Sequence, residues 1–214
     1  MADHGTEYLG ELPALDADYL GYDHHALKQM VENGNDPGQV DGMAAAWNDI
    51  GGAFGRFGDA IVGAATASEA DWQGEAGDKA RDLAVDIAGW FGGAAARAEH
   101  AGANLTRQAE AASMARSSMP EPVDFSIGDA LTMLMNETNP LNLPAVMGEI
   151  RQNFEAKQQA HAEAAKVVQT YDSTLYETGS AMPAFALPPA PNQVPADQAT
   201  APGPRSPESS VSGE

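Results

Sequence analysis

With no cysteine in the chain, metal chemistry would fall to its five histidines and its carboxylates. His24 and His25 are the only adjacent pair, while His4, His100 and His161 belong to other elements. No His-Glu-x-x-His or comparable ligand spacing occurs. Solvated or seam-lining roles are expected for these imidazoles, and no metal site. The lack of thiols also excludes a disulfide framework and thiolate-bound zinc. The acidic side chains are spread along the chain and do not pair at an evident cleft. The glycine-rich stretch GGAFGRFG, residues 51–58, follows no strand, so it reads as a small-residue packing face and not as a phosphate cradle. No serine sits in a nucleophile elbow. The expectation is a protein without catalytic residues and without a cofactor.

Recognition by surface is what remains, and charge limits it. Thirty-one acidic residues against 11 basic ones give a formal net charge of −20. That field repels nucleic acid and anionic lipid. It fits a well-solvated acidic surface or a basic partner. Apolar residues make up 43% of the chain, but Ala and Gly supply much of that share and aromatics only 7%. Long helices touching through thin seams are expected more than a deep globular core. The stretch from Ala44 to Ala65 is too interrupted by Gly, Asp and Arg to be a membrane span. The N-terminus is acidic and has neither a basic start nor an apolar core, so no cleaved secretory signal is expected.

The elements that must position any such surface can be read from periodicity. Residues 1–36 form an acidic segment, with a short helix expected around Tyr19–Glu32 and Asp16 or Asp18 as its N-cap. A turn at NGNDPG follows. Val40, Met43, Trp47, Ile50, Phe54, Phe57, Ile61 and Ala64 then recur at three- and four-residue steps, an a/d seam with Asp36 or a neighbour as cap and Pro37 suited to the first turn. After the break at DWQGEAGD the seam resumes through Ala76, Ala80, Leu83, Ile87, Trp90, Ala94, Ala98 and Ala101, and ends near Met119 at MPEP. The rise of about 1.5 Å per residue makes these helices roughly 40 and 60 Å long, joined as an antiparallel hairpin. Trp47, Phe54, Phe57, Leu83, Ile87 and Trp90 are expected to line the hairpin or to meet a helical partner. A short amphipathic helix spans residues 125–138. A third long helix carries Leu143, Met147, Ile150, Phe154, His161, Ala164, Val168, Tyr171 and Leu175, with Lys157 as the charged position on that stripe. Residues 37–180 thus form an all-α, elongated bundle. The Pro/Ala/Ser-rich residues 181–214 lack apolar periodicity and are expected to be disordered.

At the hairpin tip stands Trp72-Gln73-Gly74. Gly74 permits a positive φ for the reversal, and Trp72 reads either as a local cap or as an exposed contact. A Trp-x-Gly in the turn of two Ala/Gly-rich helices resembles the WXG superfamily of type VII secretion substrates. The order that follows is MPEPVDF, then NPLNLPAVMGEIRQNFEAKQQAHAEAAKVVQTYDSTL. It resembles the PPE-type branch of actinobacteria over roughly residues 20–180. Two features depart from the family pattern. No Pro-Pro-Glu stands near the N-terminus, and the only Tyr-x-x-x-Asp, Tyr19–Asp23, precedes the hairpin instead of following it.

The resemblance implies a non-enzymatic substrate or component of a type VII (ESX) system, exported from the cytoplasm to the cell surface or beyond without a cleaved signal. It implies a PE-like or WXG-like helical-hairpin partner that carries the Tyr motif, with Trp72 and Gly74 completing a composite export signal. It also offers Met133, Leu134 and Met135 as the face for a cytosolic secretion chaperone; as residues alone, they read first as intramolecular core. The alternative function is an intracellular helical scaffold that is never exported.

Overall fold

The computed structural model describes residues 17–33 and 36–189. Among them the elements are a 3-10 turn at Tyr19–Gly21 and five α-helices: α1 His24–Glu32, α2 Pro37–Ala67, α3 Glu75–Ser118, α4 Ile127–Asn136 and α5 Leu143–Ser180.

The starts of α1, α2 and α4 follow side-chain chemistry. Asp36 accepts from the Gly38 N–H at 2.9 Å, and Pro37, which has no N–H to leave unpaired, occupies the first turn of α2. Ser126 and Asp129 form a reciprocal capping box on α4. Hydrogen bonds from the Ser126 hydroxyl and N–H hold the Asp129 carboxyl below the usual carboxylate range. Helix α3 stops at Ser118, and extended Met119 leads into Pro120. The single helix expected over Tyr19–Glu32 is instead broken at Tyr22. Asp18 caps the 3-10 turn, and Asp23 takes the His25 N–H and starts α1 afresh. Two acidic caps five residues apart compete for the same segment, and each wins locally. Asp16 lies outside the described residues.

Helices α2 and α3 form the antiparallel hairpin, and their line of closest approach runs through the smallest residues. A Cβ built on Gly51 would stand 3.1 Å from the Ala95 carbonyl, one on Gly58 3.3 Å from that of Ala88, and one on Gly102 3.1 Å from that of Ala44. The buried row on α2 is therefore Ala44, Gly51 and Gly58. Each lies one residue beyond the expected Met43, Ile50 and Phe57, which are exposed. The companion row of Trp47, Phe54 and Ile61 is half-buried. Backbones that nearly touch gain contacts all along the seam, and large side chains at its centre would hold them apart.

The C-terminal half of α3 packs on α1 and α5. Leu27 and Val31 meet Ala111, Ala112 and Ala115 on α3 and Ala164, Ala165, Val168 and Tyr171 on α5. A second cluster of Phe125, Ala130 and Ile150 joins α4 to the start of α5. Both are thin: Leu27 and Thr178 are the largest fully buried side chains among the described residues.

Beyond α5 the chain does not leave the bundle at once. Asn104 Nδ2 donates to Ala181 O at 3.0 Å and Trp90 Nε1 to Ala186 O at 2.9 Å, while Phe185 stacks on Trp47 with centroids 5.5 Å apart. Residues 181–189, expected to be disordered from their composition, thus begin as an extended strap along the hairpin. Residues 190–214 lie outside the described part.

Tyr19 ties the N-terminal turn to α5 by donating its hydroxyl to Asp172. Burial, then the hydrogen bond to Asp172 and its charge, push the phenol up to about 12. A raised folded-state value means that the contribution to stability is complete below the unfolded value of 10. It is lost as pH rises toward about 12. The stability advantage of wild type over Tyr19→Phe in urea unfolding should therefore be clear at pH 9 and smaller at pH 11. An advantage that stays constant across that interval would contradict the assignment.

Candidate interaction surfaces

The turn between α2 and α3 is built around the backbone of Trp72. Its N–H donates to Ser68 O at 2.9 Å and its carbonyl accepts from Arg81 Nη1 at 2.9 Å. Arg81 also pairs with Asp78. Gly74 has φ 99°, a left-handed conformation that a Cβ would strain even though the space around it is open. Gly77 lies directly under the Trp72 carbonyl: a Cβ there would stand 2.5 Å from that oxygen. The turn is thus fixed without using the indole, which is 49% exposed. Gly77 and Arg81 were not singled out in the sequence. No periodicity marks them, since their role is contact with a carbonyl.

This geometry reverses an ordinary helix-propensity expectation. Gly77→Ala should destabilise the chain by about 1–3 kcal/mol, because backbone cannot give way as a side chain can. Gly89→Ala, where nothing lies within 4 Å of the new methyl, should instead stabilise by up to about 1 kcal/mol. Chemical denaturation of the two variants checks this; equal and favourable shifts would contradict the close contact at the turn.

Along the hairpin four aromatic residues form one group. Phe91 is its hub, 4.9 Å from Trp90 edge-on, 5.7 Å from Phe54 and 5.8 Å from Phe57. Phe54 also meets Trp90 at 6.2 Å. Leu83 and Ile87 are half-buried on the same helix as Trp90. Phe91 was missed because Trp90 already filled the expected seam step, although its spacing of seven from Ala98 carries the signal. Of the six expected seam residues, Phe57 is the most open at 58%. With Met43 and Ile50 it leaves an apolar row on the outside of α2.

The α4 end divides the three residues expected there. Met133 and Leu134 pack against the Phe125, Ala130 and Ile150 cluster, whereas Met135 is 82% exposed. Met135 continues an open row through Ile127 and Leu131 at four-residue steps.

Three of the histidines act as clasps. His24 Nε2 meets Pro120 O at 3.0 Å, His161 Nε2 meets Tyr22 O at 2.8 Å, and His25 Nε2 meets Asp124 Oδ1 at 3.1 Å. Because a carbonyl can only accept, His24 and His161 carry their proton on Nε2. Together they tie α1, the segment after α3 and α5 around a cavity of about 450 Å³, walled also by Phe125, Phe154 and Lys157. The Lys157 ammonium, expected to reach water, donates to Phe125 O at 2.9 Å. Tyr19 and Asp23 are likewise committed to local structure, one to Asp172 and the other to capping α1. Among the described residues no helix is long and apolar enough to cross a membrane.

A family model described as PPE family matches residues 26–183 of this chain. No curated protein matches it.

Proposed function

Since the chain belongs to the PPE family, which is associated with type VII secretion, we propose that it is a non-enzymatic type VII substrate or component that works by docking helices. It is made in the cytoplasm and exported without a cleaved signal. The observation that carries this reading is the bare apolar row on α2: Met43, Ile50 and Phe57 stand exposed beside half-buried Trp47 and Phe54. A row of large side chains on a helix that already has its hairpin mate is a surface for a further helix. The occupant is a PE-like helical hairpin, the partner typical of the family. Trp72 and Gly74 at the tip complete an export signal with the partner's Tyr motif, since this chain's own Tyr19 and Asp23 are engaged elsewhere. Residues 37–180, with α1 packed against them, are the working unit. The open row of Ile127, Leu131 and Met135 is the face for a cytosolic chaperone, with Met133 and Leu134 supporting it from below.

Co-expression with a PE-family protein tests the reading. The wild-type chain should co-purify with it. Ile50→Asp combined with Phe57→Asp should abolish the complex while leaving the helical content of the free chain unchanged, because both side chains face solvent there. Undiminished co-purification of the double variant would sink the α2 face as the docking surface.

A further inference from the structure

We propose that residues 181–187 are a built-in competitor for the partner face: in the free chain the strap lies on Trp47 and Trp90, and a helical partner seats fully only when it lifts. This rests on the docking face proposed above and adds a regulation to it.

The strap is held at both ends. Its start is fixed by Asn104 and its far end by the Trp90 indole N–H, so it runs back along α3 from residue 104 to residue 90. Between those points Phe185 lies on the ring of Trp47, across the hairpin on α2, at an interplanar angle of 21°. The strap therefore bridges both helices, from Trp90 on α3 to Trp47 on α2, and is more than a tail beside them.

Trp47 also belongs to the row the partner would use. Met43, Trp47, Ile50, Phe54 and Phe57 follow one another at three- and four-residue steps, which makes them one continuous stripe of a helix. A second helix, about 10 Å across with its side chains, cannot lie over Met43 and Ile50 and leave the ring between them untouched. Phe185 and the partner require the same face of Trp47.

The strap is also made to leave. Its sequence, AMPAFALPP over residues 181–189, is broken by Pro183, Pro188 and Pro189. Proline prefers an extended backbone whether docked or free, so little order is lost or gained on release. Phe185 is 42% exposed even when stacked, and Leu187 is 90% exposed. The Trp90 indole, by contrast, has a donor that must be satisfied when covered, and the strap's Ala186 carbonyl serves it in the absence of a partner.

The absence of native cysteine allows one clean label. Leu187→Cys in the full chain, carrying a nitroxide, reports strap mobility by electron paramagnetic resonance, and a PE-family protein is the probe. The label should be restrained in the free chain and become mobile as the complex forms. Phe185→Ala should show a mobile label from the start and bind the PE-family protein about tenfold more tightly, the scale of one aromatic stack. A label that stays restrained in a formed complex overturns the competition, as does weaker binding by Phe185→Ala, which would make the strap part of the interface. No complex with either form overturns the docking face itself and this inference with it, so the two failures are told apart.

Discussion

Trp72→Ala is expected to abolish export while leaving the fold and partner binding nearly intact. The contacts that Trp72 makes in fixing the turn use its backbone: its N–H on Ser68, its carbonyl under Arg81 and over Gly77. Alanine keeps all of them. The ring itself is half in water at the end of the hairpin, so its removal should cost no more than about 1 kcal/mol. A polar turn with glycine would reverse the chain just as well. On the proposed reading the indole is presented there for contact with the partner's Tyr motif, so that the secretion machinery reads both together. Gly74→Ala is the complementary variant. It keeps the indole but strains a residue at φ 99°, by about 1–3 kcal/mol, and should impair export by misplacing the ring. The measurement is export of each variant in a host with an active type VII system, beside circular dichroism and co-purification. Export of Trp72→Ala at the wild-type level would reduce the indole to a cap; unfolding would make it core.

Much of the fold was legible because helix ends are written in local chemistry. Asp36 with Pro37, and Met119 with Pro120, mark boundaries that need no knowledge of tertiary packing. The hairpin was legible for a different reason, the heptad recurrence through Trp47, Phe54 and Ile61. The other half of that seam was not. Periodicity weighs large apolar residues, so it selected Met43, Ile50 and Phe57 over Ala44, Gly51 and Gly58, which the backbones prefer for their smallness. The same weighting hid Phe91 behind Trp90. Met133, Leu134 and Met135 are adjacent residues, and neighbours on a helix point about 100° apart, so they could not all share one face. The strap left no periodic trace because its partners are two side-chain donors on α3 and one ring on α2.

The register of the hairpin has the largest consequence for stability. Gly51→Leu should destabilise the free chain by about 3 kcal/mol, near the upper end of overpacking costs. Even its Cβ would stand 3.1 Å from the Ala95 carbonyl and 3.5 Å from the Ala98 methyl. The remaining three carbons have nowhere to go unless the helices separate, and separation would strip contacts at Gly58 and Gly102 as well. In thermal melting that is a fall of roughly 6–12 °C for a chain of this size. Phe57→Ser, which removes a far larger side chain, should cost less than about 1 kcal/mol, because the ring is more than half in solvent and touches chiefly Phe91. The order inverts for the complex: Phe57→Ser should weaken binding of a PE-family hairpin while the fold stands. A seam built on the large residues demands the opposite ranking in melting. If Phe57→Ser melts below Gly51→Leu, the glycine register is wrong, and Met43, Ile50 and Phe57 return to the interior where no partner can reach them.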